Sequence, residues 1–349
     1  MTSKALDLVV PGRLATATGG YAYDRRILAG LAQRGWAVRA HELDTSFPYP
    51  SPAALAQAAR VLAGIPRGRP VVIDGLALGG MPELVEQAAQ RLRLIALIHH
   101  PLALETGIDA TLAARLGVAE RRALAVVRQV VATSPTTARE LAGYGLPQER
   151  IAVVKPGTDP APLARGSGGD DLALLCVATL TPRKGHALLV RALAAVRDLP
   201  WHLTCAGSTT RDRTTAGILA REIDALGLSG RIELTGELDE AALAERFQRA
   251  DVFVMASHYE GYGMVFDEAL ARGLPIVATW GGATAETVPA AAGLLVPTGD
   301  QSALAAALRR LMTDAELRAR LRAGARDARA CLRPWLGAVA EFERVLARH

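Results

Sequence analysis

The sequence predicts an α/β chain built from two doubly wound, Rossmann-like units, each a parallel sheet covered by helices on both faces. Three observations predict it. First, short apolar runs alternate with helix-forming stretches along almost the whole chain, as buried parallel strands and their crossover helices require. Second, the alternation runs twice, and residues 156–171, rich in Pro, Gly and Asp, separate the two runs as a linker would. Third, several apolar runs end in glycine-bearing or charged loops, the carboxyl-edge position where open α/β sheets bind ligands. A length of 349 residues suits about two domains. Their expected ranges are 1–157 and 170–332, with a last helix over 334–349.

In the first half, Leu6–Val10 is the opening strand. The loop from Pro11 to Gly20 follows, then a helix over Tyr21–Arg34 stopped by Gly35. Strand, glycine loop and helix is the phosphate-binding order of Rossmann units, but the G-x-G-x-x-G spacing is absent, and a plain tight turn is an equal reading. Further strands are Ala37–His41, Pro70–Asp74, Leu94–Ile98, Gln129–Thr133 and Ile151–Val154, with helices around 52–63, 82–90, 109–127 and 136–144 between them. In the second half, strands are expected at Leu172–Ala178, Trp201–Ala206, Arg231–Leu234, Val252–Met255, Ile276–Ala278 and Gly293–Val296. Helices fall within 184–197, 214–226, 241–249, 263–273, 302–311 and 316–330. A last one over Trp335–Ala347 begins after Pro334, which permits a change of direction.

Half of the residues are hydrophobic, so sizeable cores can form, while aromatics make up only 4%. The net charge of +5 comes from 40 basic residues scattered among 35 acids. No basic run or basic–aromatic stretch points to nucleic acid, and a mild positive balance suits an anionic substrate. Cys176, Cys205 and Cys331 are far apart in sequence, with neither metal nor disulfide spacing, and read as free thiols of a reducing compartment. No leader-like start and no apolar stretch of membrane-spanning length stands out, so the expected location is the cytoplasm. The basic, amphipathic stretch Arg115–Arg128 allows peripheral membrane contact, but an ordinary surface helix with its apolar side in the core is the favoured reading.

Three constellations carry chemistry. The stretch from Ser257 to Pro275 places Glu260 on a strand-to-helix turn, after Val252–Met255 and beside Gly261 and Gly263. The helix start there presents backbone N–H groups and partial positive charge, suited to a phosphate or a hydroxyl oxygen. Glu268 lies further along the same helix and needs a donor: a ligand hydroxyl, or Arg272 four residues on. Glu260 in turn could simply complement the helix dipole. The second constellation is the loop from Thr179 to His186, where adjacent Arg183 and Lys184 precede Gly185 as a compact anion site or a solvated basic turn. As a loop lysine, Lys184 is expected to be exposed and to matter little for stability. The third is the pair His99 and His100, before Pro101 at a strand end, placed for chemistry but with no further ligands at metal spacing.

Taken in order, Thr18-Gly-Gly-Tyr21, Ile98-His-His-Pro101, Pro182-Arg-Lys-Gly185, the long segment Ala250–Ala278 and Gly293-Leu-Leu-Val-Pro297 resemble the retaining glycosyltransferases of family 4. The likeness covers nearly the whole chain, and the glutamate pair Glu260 and Glu268 has that family's spacing. It implies the GT-B fold, two Rossmann-like domains whose parallel sheets face each other across a cleft. The N-terminal domain would take the acceptor and the C-terminal domain a nucleotide-sugar donor, with the last helix packing back on the N-terminal domain. By the same resemblance, Glu268 would bind the ribose and Glu260 a donor-sugar hydroxyl, near the backbone of Tyr262, Gly263 and Met264. Lys184 and Arg183 would neutralise the diphosphate, and His99 or His100, with His99 preferred, would face the reacting carbon or the acceptor. Gly19 and Gly20 would line the cleft, while Gly207, Gly236 and Leu238 would lie near the base. Many members carry an arginine five residues before the phosphate-binding lysine; here Thr179 stands there, and Arg183 would compensate.

The implied reaction moves a sugar with retention from a GDP- or UDP-sugar to a small-molecule, glycan or lipid-linked acceptor. No cofactor or metal is expected, because Arg183 and Lys184 would meet the charge that grows on the leaving diphosphate. Whether the leaving phosphate or a carboxylate assists the attack stays open. The competing readings are a GT-B nucleotide-sugar epimerase or hydrolase, and a non-catalytic nucleotide-sugar-binding subunit.

Overall fold

The computed structural model describes residues 4–347. Residues 1–3 and 348–349, the outer ends of the expected N-terminal and last-helix ranges, lie outside the described residues. The chain divides into two compact units, Met1–Gly157 with Arg333–His349, and Thr158–Leu332.

The first unit runs β1 (Ala5–Pro11), α1 (Gly19–Gln33), β2 (Ala37–Leu43), α2 (Pro52–Gly64), β3 (Pro70–Asp74), α3 (Gly75–Gly80), α4 (Pro82–Ala89), β4 (Arg93–Ile98), α5 (Ala110–Val126), β5 (Gln129–Ala132), α6 (Pro135–Ala142) and β6 (Ile151–Val153). All its strands pair in parallel, in the order β2-β1-β3-β4-β5-β6. The order reverses between β1 and β3, which makes their carboxyl ends the switch point of this sheet. Helix starts follow local chemistry: Thr18, Ser51, Asp109 and Ser134 each accept a first-turn N–H, and Pro52, Pro82 and Pro135 open their helices.

Helix α3 was not expected. Its sequence, Gly-Leu-Ala-Leu-Gly-Gly, reads as a loop, yet Asp74 caps it through the Leu76 N–H at 2.9 Å. The glycines serve close packing: a Cβ on Gly79 would stand 2.3 Å from Leu102 Cδ1.

The second unit runs β7 (Leu172–Val177), α7 (His186–Ala194), β8 (Trp201–Ala206), α8 (Arg213–Ala225), β9 (Ile232–Gly236), α9 (Glu240–Arg249), β10 (Val252–Met255), α10 (Met264–Ala271), β11 (Ile276–Thr279), α11 (Thr284–Thr287), β12 (Gly293–Val296), α12 (Gln301–Thr313) and α13 (Ala315–Arg329). Its parallel sheet has the order β9-β8-β7-β10-β11-β12, with the switch point between β7 and β10. Strands expected from apolar runs thus form both sheets, because burial on two faces demands continuous apolar sequence. Much of the expected linker is instead strapped to this unit. Ala164 N–H donates to Arg272 O at 2.9 Å, and Asp251 accepts from Ser167 N–H at 3.3 Å and Ala173 N–H at 2.9 Å. Proline and glycine mark irregular backbone, and here that backbone finds partners in the unit's own surface.

Helix α14 (Trp335–Ala347) belongs to the first unit and packs on α1. Gly30 admits it: a Cβ there would stand 2.3 Å from Val339 Cγ2. Glu343 pins the helix, accepting from Lys4 Nζ at 3.0 Å, Arg34 Nε at 2.6 Å and Trp36 Nε1 at 2.9 Å. Bonds from Trp36 first, then from Lys4 and Arg34, hold its carboxyl down at about 2. The stabilisation is full above the ordinary glutamate value and fades as pH falls toward that depressed one. Glu343→Ala is therefore expected to cost about 1–2 kcal/mol near neutral pH, discounted because Lys4 and Arg34 are partly exposed. In urea unfolding the gap from the parent protein should narrow as pH drops to about 3. A constant gap would show that Glu343 acts through packing alone.

Candidate active site

The turns after β7 and β10 meet at the switch point of the second sheet. Gly185, at φ 65°, ends the Pro182–Lys184 turn and brings it hard against the end of β10, where a Cβ would come within 1.9 Å of Ala256 O. His258 N–H donates to Arg183 O at 2.8 Å, which ties the two turns together. Lys184 Nζ then donates to both carboxylate oxygens of Glu260, at 2.7 and 2.9 Å. Arg183 Nη1 donates to Tyr259 O at 2.8 Å and lies 3.9 Å from Glu260 Oε2. The loop after β11 closes the other side: Glu260 O accepts from Ala283 N–H at 2.8 Å, and Gly282 packs so closely that a Cβ would clash with that oxygen.

The side chains are 6% exposed for Glu260, 17% for Lys184 and 19% for Arg183. The expectation of an exposed Lys184 is thereby corrected, because its ammonium turns inward to neutralise a buried acid. Burial alone would raise the Glu260 carboxyl, but Lys184 and Arg183 outweigh it and hold the group below its ordinary value. Burial pulls the Lys184 ammonium down, and Glu260 only partly restores it. The result is two cations and one anion, all largely buried, with a net positive charge. Such an arrangement can hold a dianionic phosphate group.

The other residues singled out in this unit are placed in different ways. Gly263, at φ 87°, turns the chain into α10, so Met264 opens the helix; Tyr262 Oη donates to Asp267 at 2.7 Å. Glu268 lies further along α10. The Arg272 guanidinium donates to the Glu268 carbonyl at 2.9 Å and stacks 4.3 Å over the Phe247 ring. Gly207 and Gly236 are joined by a 2.9 Å backbone bond at the ends of β8 and β9, with Thr179 after β7 beside Gly207 and Leu238 just past β9.

At the switch point of the first sheet, His99 follows β4, and its ring packs over Gly20, whose Cβ would stand 3.2 Å from His99 Cδ2; around Gly19 that space is open. His99 Nε2 lies 3.3 Å from Asp24 Oδ1 and 3.7 Å from Asp74 Oδ2. Both aspartates are buried. Sequence reading missed them, and missed that His99 gathers further ligating groups, because Asp24 lies on α1 and Asp74 at the end of β3. Their signal was present: acids within apolar-patterned elements need a partner. Burial opposes charge on the imidazole, but Asp24 and Asp74 outweigh it and raise His99 above its usual value; burial raises Asp74. His100 is set apart, with Nε2 3.2 Å from Glu105 Oε2. Asp24→Asn is expected to lower the His99 titration, read by NMR of the imidazole. An unmoved titration would show that Asp24 does not hold the His99 charge.

The comparisons with known proteins fall on the same segments. The model for "Glycosyl transferases group 1" matches residues 164–328, and that for "Glycosyltransferase Family 4" matches residues 17–162. The chain belongs to the family 4 glycosyltransferases. It is 31% identical over 255 residues to a D-inositol 3-phosphate glycosyltransferase of Kineococcus radiotolerans, covering 64% of this chain and 58% of that one. A protein of the same name from Geodermatophilus obscurus is 32% identical over 234 residues, 60% of this chain and 50% of the relative. The chain thus spans between half and three-fifths of the length of these relatives. Among solved structures, sucrose-phosphate synthase from Thermosynechococcus elongatus superposes with a TM-score of 0.84 at 22% identity, covering 99% of this chain and 98% of that one. Anabaena HepE, solved with UDP and glucose, gives 0.77 at 18% identity, covering 98% and 100%. These likenesses establish the GT-B fold.

Two other expectations bear on this family reading. In α5, Leu116 and Leu124 are buried, as is Val127 just after it, and Arg122 pairs with Glu83 and Glu86 of α4, as an ordinary surface helix does. No helix among the described residues is long and apolar enough to cross a membrane.

Proposed function

We propose that this chain is a retaining glycosyltransferase that moves a sugar from a nucleoside-diphosphate sugar, UDP- or GDP-linked, to an acceptor hydroxyl. The observation that carries the reading is the meeting of Arg183, Lys184 and Glu260 at the switch point of the second sheet. In the reaction the sugar–phosphate bond breaks and negative charge grows on the leaving diphosphate. Two fixed cations and the start of α10 stabilise that charge most where it is largest, in the transition state. Arg183 lies 3.9 Å from the carboxylate that Lys184 binds, which supports its substituting for the arginine absent at Thr179. These cations take the role a divalent ion plays elsewhere. Glu260 then receives a donor-sugar hydroxyl as Lys184 turns toward the diphosphate.

Glu268 is assigned to the ribose, and Gly207, Gly236 and Leu238 to the base. His99, held by Asp24 and Asp74, is assigned to the sugar or the acceptor, with Gly19 and Gly20 alongside. The relatives named for D-inositol 3-phosphate make a phosphorylated cyclitol the first acceptor to try. Three unpaired thiols support a reducing, cytoplasmic setting.

Incubation with radiolabelled UDP-, GDP- and ADP-sugars, with and without inositol phosphate, tests the proposal. A new labelled product supports it; an epimer, free sugar alone or binding without turnover contradicts it. Glu268→Ala is expected to raise the donor KM about tenfold with kcat nearly kept, since ribose contacts persist from ground state to transition state. A fall in kcat at unchanged KM would reassign Glu268 to the chemical step.

A further inference from the structure

Cys176 and Cys205 are register partners on the adjacent parallel strands β7 and β8, and each is 1% exposed. His186, the first residue of α7, is 3% exposed, and its Nε2 lies 3.8 Å from Cys176 Sγ. The three donor atoms all lie within 4.8 Å of one another. His186 Nδ1 is buried with no hydrogen-bond partner. An imidazole buried among apolar residues, with thiols beside it and one ring nitrogen unpaired, is costly to bury.

We propose that Cys176, His186 and Cys205 form a buried zinc site that joins β7, β8 and the start of α7. The spacing suits a tetrahedral ion. With zinc–sulfur bonds of ~2.3 Å and a zinc–nitrogen bond of ~2.0 Å, donor atoms sit roughly 3.5–3.8 Å apart. A disulfide fits less well, since it needs Cβ atoms about 3.8 Å apart while neighbouring parallel strands run about 4.8 Å apart. Two thiolates and an imidazole are a soft set that prefers zinc to magnesium or calcium. On binding, each thiol gives up its proton to solvent and the dication is neutralised by the two thiolates. A water or a small anion completes the fourth position. Separation in sequence hid the group, because the sheet register, not a local motif, brings the two cysteines together. The ion would fix the chain immediately after Gly185, and so the loop that carries Lys184. The site stands independently of the sugar-transfer reading.

The test uses tag-free protein, reduced and stripped with a chelator, then titrated with zinc or cobalt(II). One zinc per chain by elemental analysis, a rise in Tm, and thiolate-to-cobalt charge-transfer bands with intense tetrahedral d–d bands are expected. Cys176→Ser and Cys205→Ser should each abolish the charge-transfer bands, while Cys331→Ser, at an exposed cysteine, should keep them. The proposal is overturned if the unmodified protein binds neither ion, binds cobalt without charge-transfer bands, or keeps those bands in either of the first two variants. The readings on unmodified protein hold even if a variant does not fold.

Discussion

Lys184→Ala is expected to lower kcat/KM by roughly 10²-fold or more, as loss of a fixed charge facing a leaving group does. It should also lower stability by about 1–3 kcal/mol. The reason is Glu260: its side chain is 6% exposed and receives both of its short hydrogen bonds from Lys184. Without them a nearly buried carboxylate loses its nearest cation and is left with the more distant Arg183 guanidinium, and removing one partner of a buried pair costs more than the pair is worth. The Glu260 carboxyl then rises from where Lys184 holds it, so the stability gap between variant and parent should narrow on acidification, as the parent's own Glu260 takes up its proton. Steady-state kinetics with the true donor and urea unfolding across pH check both parts. Near-normal turnover without an added divalent ion would overturn the electrostatic role, and unchanged stability would overturn the pairing.

Glu260→Ala should produce the larger loss of stability, about 2–4 kcal/mol, because it leaves two cations facing each other across the vacated carboxylate. Burial already pulls the Lys184 ammonium down, and the loss of Glu260 removes what restores it. Turnover should fall at least 10²-fold, with the remainder declining further as pH rises and Lys184 loses its proton. Glu260→Gln keeps an acceptor for the sugar hydroxyl and should fall less. In a double-mutant cycle, Lys184→Ala with Glu260→Ala should be more stable than the sum of the single losses allows, while remaining inactive. Strict additivity of the two stability losses would mean that Lys184 and Glu260 do not interact in the folded protein.

The strands were legible because parallel sheets covered on both faces leave runs such as Val252–Met255 and Ile276–Thr279 unbroken by polar residues. Helix α3 was not, since three glycines erase the helical signal and their close packing, Gly75 on Ile98, Gly79 on Leu102 and Gly80 on Phe47, shows only in the folded chain. Within the candidate site, Lys184 and Glu260 were each marked by local grammar, a charged residue on a turn after an apolar run. That they bind each other across 76 residues was not, for pairing is set by the order of β7 and β10 in the sheet. Asp24 and Asp74 escaped notice for the same reason, and so did the approach of Cys176 to Cys205.

Arg183, Lys184 and Glu260 are proposed as the seat of a nucleoside diphosphate. Calorimetric titration of the parent protein and of Lys184→Ala with UDP or GDP, against the matching monophosphate, tests this assignment most directly. The diphosphate is expected to bind the parent at least tenfold more tightly than the monophosphate, and Lys184→Ala to remove most of that difference while leaving monophosphate binding nearly unchanged. The same difference surviving intact in Lys184→Ala would contradict the assignment.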